Sequence, residues 1–216
     1  MDRILLVRHA RADGHDESDP GLGELGLRQA EALAEQLAGE DVVAILNSPR
    51  LRARQTAELV AQRIGCSVRT THLLEDRTPV PSARRWDDYP PHRWERLREV
   101  PAEERDEDGV ALSAAWSRIT APDAADGDAD GAADDLTGGG HVADIGTGAV
   151  GGSASTLVLV THVFVVGWFV CRALSAPPAA WMLLPVDNAS ITELQARPKG
   201  EHAVVRFNDG GHLSER

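Results

Sequence analysis

At four places in the chain, residues able to act on phosphorus follow a short apolar run. Arg8 and His9 follow Ile4–Val7, and Ser48, Pro49 and Arg52 follow Val42–Leu46. His72, Glu75 and Asp76 come after Ser67–Thr71, and Thr161 and His162 after Thr156–Val160. Guanidinium groups grip phosphate oxygens with paired hydrogen bonds, which Arg8 and Arg52 can supply. An imidazole held neutral and oriented can attack phosphorus without a metal. Positive donors around the equatorial oxygens then stabilise an in-line transfer, and a carboxylic acid can protonate the leaving oxygen and later deprotonate water. Arg52 falls in the first turn of a predicted helix, whose free N–H groups and dipole favour an anion by ~0.3–1 kcal/mol. His9, His162 and Glu75 could also form a two-His-one-carboxylate metal set. The flanking arginines speak against that, because they would repel the cation.

These residues must be positioned by regular elements. Ile4–Val7, Val42–Leu46, Ser67–Thr71 and Thr156–Val160 read as strands, as do the later stretches Ser190–Gln195 and Ala203–Phe207. Leu27, Ala30, Leu33, Ala34 and Leu37 recur at helical spacing, and Leu51–Ile64 reads as a helix closed by Gly65. Val163–Leu174 reads as a buried helix, and weaker helical patterns lie near Trp94–Glu99 and Gly109–Ile119. Residues 75–95, rich in Pro, Arg, Asp and Trp, read as an irregular loop over a site. Alternating strands and helices predict a three-layer α/β/α sandwich around a mostly parallel sheet, with ligands at the carboxyl ends of the strands.

Composition bounds the rest. The 216 residues suit one domain spanning 1–216, and 42% apolar content is ordinary for a globular chain. Seven of the twelve net negative charges sit within residues 121–153, an Ala/Asp/Gly-rich stretch without Lys or Arg. It holds too little apolar surface to offset its ordering entropy and is predicted to be a disordered insert. The acidic balance argues against nucleic acid as a partner. The apolar run Leu157–Cys171 is shorter than the ~20 residues of a membrane span and is broken by His162, so no membrane partner is expected. Cys66 and Cys171 form no CxxC pattern and suggest a reducing compartment; no signal-peptide pattern opens the chain, and a cytoplasmic location is expected. Nothing in the sequence reads out an oligomeric state.

Leu6-Val7-Arg8-His9-Ala10, Leu25-Gly26-Leu27-Arg28-Gln29-Ala30, Ser48-Pro49-Arg50-Leu51-Arg52-Ala53-Arg54-Gln55-Thr56-Ala57, Val160-Thr161-His162 and Asn188-Ala189-Ser190-Ile191 occur in that order. Together they resemble the histidine phosphatase superfamily, with its phosphoglycerate-mutase-like fold. The resemblance implies a metal-independent phosphatase without a cofactor, acting on a phosphorylated small molecule or a phosphoprotein. It implies that His9 is the phosphorylated nucleophile and that Arg8, Arg52 and His162 form the phosphate pocket. Glu75, in the Leu-x-Glu position after the third strand, becomes the acid/base, with Asp76 beside it left open. Arg11, Arg84 and Trp86 are candidates to read the substrate beyond the phosphate. Three positions depart from the family pattern. Ala10 replaces a Gly. Asp76–Ser82 stands where mutases carry a Glu…Gly segment, which favours hydrolysis over mutase transfer. Val163-Phe164 follows His162 instead of small residues, predicting a tighter, more apolar pocket floor. A mutase and a non-catalytic phosphate-binding module remain as alternatives.

Overall fold

The computed structural model describes residues 2–14, 19–121 and 155–213. The strands β1 (Arg3–Arg8), β2 (Val42–Asn47), β3 (Val68–Thr70), β6 (Thr156–Thr161), β7 (Ile191–Ala196) and β8 (His202–Asp209) form one sheet in the order β3-β2-β6-β1-β7-β8. β1, β2, β3 and β6 run parallel, whereas β7 is antiparallel to both of its neighbours. The predicted fold class is the observed one. The acidic 121–153 stretch lies, apart from Ala121, outside the described residues.

Why the central strands read as unbroken apolar runs is clear from their two faces. Side chains alternate across a strand. Leu5, Val7, Ile45, Val158 and Val160 point to one side and meet α1 (Glu24–Leu37) and α2 (Leu51–Ile64) through Leu33, Leu37, Ala57 and Val60. Ile4, Leu6, Leu46, Leu157 and Leu159 point to the other side, where α4 (Val110–Thr120) and α5 (Val163–Ala173) supply Leu112, Ile119, Val166 and Phe169. A strand covered on both faces has no polar side to display. α2 ends at Gly65 in the left-handed conformation at φ 71°, which glycine adopts without steric cost.

The region 75–95 is more ordered than its composition predicts. Thr78–Val80 (β4) pairs in parallel with Arg105–Glu107 (β5), short single-turn helices form at Trp86–Asp88 and Pro91–Arg93, and α3 (Trp94–Arg98) follows. Three-residue strands containing a proline or two acids are too short for periodicity to reveal. β5 has its own anchor: the buried Asp106 carboxylate accepts from the Ala111 and Leu112 backbone N–H groups, each at 2.9 Å, and so caps α4.

Candidate active site

Four parallel strands deliver the reactive residues to one edge of the sheet. Arg8 is in register with Thr161, and Asn47 with both Val160 and Thr70. The ladder continues one residue beyond the strands, with His9 N–H donating to Thr161 O at 2.9 Å and Ser48 N–H to Val160 O at 3.0 Å. His9, Ser48 and His162 therefore emerge side by side. A cavity of about 250 Å³ opens over them, lined by Arg8, His9, Arg11, Ala12, Arg52, Asp76, His162, Val163 and Asn188.

The His9 ring is held at both nitrogens. Nδ1 lies 2.8 Å from the Ala10 carbonyl, to which it donates, and Nε2 accepts from Arg52 Nε at 3.2 Å. Burial, the neighbouring His162 ring and the charges of Arg52 and Arg8 push its pKa down to about 3, against a smaller opposing pull from the Ala10 carbonyl. The ring is thus a neutral imidazole at physiological pH, with its Nε2 lone pair facing the cavity's guanidinium. His162 sits with its ring centroid 5.1 Å from that of His9, and its Nε2 is 2.7 Å from Ser48 Oγ.

Arg52 is 2% exposed and links the nucleophile candidate to a carboxylate, donating to Asp76 Oδ2 at 2.9 Å. The same oxygen is 3.2 Å from His162 Nδ1. Burial would raise the Asp76 pKa. His162 opposes it first, then Arg52 and His9, and the net result is a carboxyl well below its ordinary range. Arg8 donates to Val186 O at 2.6 Å. Asn188 donates to the His9 carbonyl at 3.0 Å and the Ala189 N–H to the Arg8 carbonyl at 3.0 Å, strapping the segment from above.

Among the sequence-predicted residues, Arg8, His9, Arg11, Arg52 and His162 share the cavity. Glu75 does not. Its carboxylate turns to Arg77 at 3.3 Å and His72 at 3.5 Å, and Asp76 occupies the place expected of Glu75. The cause is the register of the 72–74 turn. Leu74, not Leu73, is fully buried, and its carbonyl accepts from Thr161 Oγ at 2.8 Å, so the residue two positions on from Leu74 faces the site. Arg84 is exposed away from the cavity. Trp86 packs edge-on against Trp94 (5.8 Å between centroids) and under the Arg98 guanidinium (4.8 Å), and it is not on the lining of the cavity. The anion at the start of α2 is also the chain's own, since Leu51 N–H donates to the Asp19 carboxylate at 3.1 Å. Asn188 was legible only as a member of a motif, and Ser48 also by its place after the second strand; nothing in their spacing announced their hydrogen bonds. Among the described residues, no group of three or more His, Cys, Asp or Glu side chains is placed to hold a metal ion, and no helix is long and apolar enough to cross a membrane.

Paired imidazoles, two arginines and a carboxylate at the carboxyl edge of a parallel sheet have the donors and the geometry to hold a tetrahedral anion. The chain belongs to the histidine phosphatase superfamily (branch 1), whose profile matches residues 4–122 and 147–210. It is 30% identical over 215 residues to the serine/threonine-protein phosphatase PGAM5, mitochondrial, of Mus musculus, covering 97% of this chain and 63% of that protein, and 27% identical over 214 residues to its Caenorhabditis elegans counterpart. The chain thus spans about 63% of the length of these curated relatives. Its fold matches a mycobacterial glucosyl-3-phosphoglycerate phosphatase (TM-score 0.63, 22% identity, covering 97% of this chain and 99% of that one). It also matches a phosphoserine phosphatase mutant of Entamoeba histolytica (TM-score 0.60, 18% identity, 99% and 100%).

Proposed function

We propose that this chain hydrolyses phosphomonoesters through a phosphohistidine on His9. The observation that carries the reading is how the His9 ring is held: Nδ1 lies 2.8 Å from the Ala10 carbonyl, which can only accept, and Arg52 Nε donates to Nε2 at 3.2 Å, so the Nε2 lone pair faces the cavity. A bound phosphate dianion would displace that contact and take the Arg8, Arg52 and His162 donors for its oxygens. Nε2 then attacks phosphorus as the P–O ester bond breaks. Asp76 gives its proton to the departing alkoxide oxygen. In the second half, water attacks phosphorus as the P–Nε2 bond breaks, Asp76 takes the water proton, and inorganic phosphate leaves a free His9.

Asp76 is ionised in the free site because Arg52 and His162 hold it so. The same phosphate dianion that claims those two donors places two negative charges beside the carboxyl and raises its pKa, so the acid form belongs to the substrate complex. The substrate is a phosphorylated small molecule or a phosphoprotein, both kinds being represented in the names of the relatives above. A reducing compartment is part of the same reading, supported by Cys66 and Cys171, which are both unpaired.

The test is turnover of p-nitrophenyl phosphate by wild type and by His9→Ala, with circular dichroism as the check on folding. Turnover should vanish in His9→Ala, and rapid quenching of the wild type should trap a phosphoenzyme that survives alkali but not acid. A folded His9→Ala protein with full activity ends the proposal, and phosphate binding without any wild-type turnover would favour the non-catalytic module.

A further inference from the structure

A second, open cavity of about 340 Å³ lies between α3, β4, the start of α5 and the 180–183 turn. Its apolar wall includes Leu97, Phe164, Trp181, Met182 and Leu184, and the two arginines on its lining are matched by two glutamates. The balanced charge gives it no pull on an anion, so its chemistry is that of an apolar, partly aromatic recess. Phe164 and Trp181 meet edge to face at 4.9 Å, a geometry that a further ring can extend. Met182 contributes a side chain that adapts to the shape of a guest.

Three segments of chain lead directly from this recess to the phosphate cavity. Asp76 lines the phosphate cavity and Thr78 the recess; Val163 lines the first and Phe164 the second. Leu184 lines the recess, and Val186 accepts the Arg8 guanidinium hydrogen bond. In two of these segments residues one or two positions apart line the two cavities, and in the third the residue two beyond Leu184 holds the Arg8 guanidinium of the phosphate cavity. Its volume exceeds the ~150 Å³ of an apolar cavity able to hold benzene.

From this we infer that the recess receives the leaving group of the substrate: a neutral aromatic or branched apolar group. The inference rests on the hydrolytic reading of the phosphate cavity. It also gives a role to Val163-Phe164, the apolar pair that replaces small residues after His162.

The test compares kcat/KM for ethyl phosphate and 2-phenylethyl phosphate, whose alcohols differ little in acidity, so that a difference reports binding of the ring. A second pair, phosphoserine pentapeptides with Phe or Gly beside the phosphorylated residue, distinguishes a chain-borne apolar group from a small free ester. The ring should gain roughly 10–100-fold, the range that burial of one large apolar group supplies. Met182→Glu should cut that preference below threefold while ethyl phosphate turnover holds. Leu184→Ser, on the same wall, reads the same loss where Met182→Glu fails to fold. Preference in the free esters alone assigns a small molecule, and preference in the peptides assigns a phosphoprotein. Equal turnover across both pairs removes the assignment and leaves hydrolysis standing, whereas no turnover of any of the four overturns both readings.

Discussion

Asp76→Asn and Glu75→Gln, made separately, decide which carboxylate serves the reaction. Asp76 lies 2.9 Å from Arg52 and 3.2 Å from His162, inside the cavity that holds His9. Glu75 is 28% exposed and pairs with Arg77 and His72 outside it. Asparagine keeps the shape of Asp76 but cannot pass a proton, so kcat for ethyl phosphate should fall by about 10²–10⁴, the usual contribution of a positioned acid or base. p-Nitrophenyl phosphate separates the two half-reactions. Its leaving group needs little protonation, so the first transfer survives in Asp76→Asn while the attack of water still lacks a base. The variant should therefore show a burst of nitrophenol and accumulate phosphoenzyme. Arg52 is buried and loses its closest charged partner, so Asp76→Asn should also cost about 1–3 kcal/mol, or roughly 2–12 °C in Tm for a chain of this size. Glu75→Gln removes only partly exposed pairs worth ~0–1 kcal/mol and should change kcat less than about twofold. A hundredfold loss in Glu75→Gln, with Asp76→Asn close to wild type, would refute the reasoning.

His9 makes stability depend on pH. Its folded pKa of about 3 lies below the ordinary value of 6.5, so between these limits the unfolded chain binds a proton that the native site refuses. Stability is complete above about 6.5 and is lost as pH falls toward 3, by up to ~1.4 kcal/mol per pH unit from this group. Thermal melts of His9→Gln between pH 7 and 4.5 should accordingly be flatter than those of wild type by about 3–5 °C per unit; curves that stay parallel would contradict a neutral buried imidazole. Trp86→Ala should lower stability by about 1–3 kcal/mol, through the lost Trp94 and Arg98 stack, and leave kcat/KM for small esters within twofold. A selective rise in KM with unchanged Tm would instead return Trp86 to the substrate.

How far the sequence carries such reasoning depends on how long each element is. β1 and β6, six residues each and buried on both faces, could hardly read as anything but central strands, and α2 shows its limits in the sequence from Leu51 to Gly65. Once they are placed, the rule that ligands gather at the carboxyl ends of parallel strands brings up Arg8, His9, Arg52 and His162 among a few other strand-end residues, and the motif resemblance singles these four out. The glycine of Leu25-Gly26 likewise has a local cause, since a Cβ there would come within 2.0 Å of the Arg11 carbonyl oxygen, so α1 can approach the site loop only at a glycine. Which carboxylate enters the cavity was not legible, because Leu73 and Leu74 offer two equivalent registers and a period cannot be read from a single turn. What selects Asp76 is a long-range hydrogen bond from Thr161, 87 residues away in the chain, to the Leu74 carbonyl. The surroundings of Trp86 were illegible for a related reason. An aromatic in a polar, proline-rich stretch looks unpartnered in sequence, whereas its partners Trp94 and Arg98 lie eight and twelve residues on, brought against it by turns too short to leave a pattern. Residues whose roles follow from the sheet are thus readable one at a time, while those set by the irregular 72–98 segment depend on contacts that exist only after the sheet has formed.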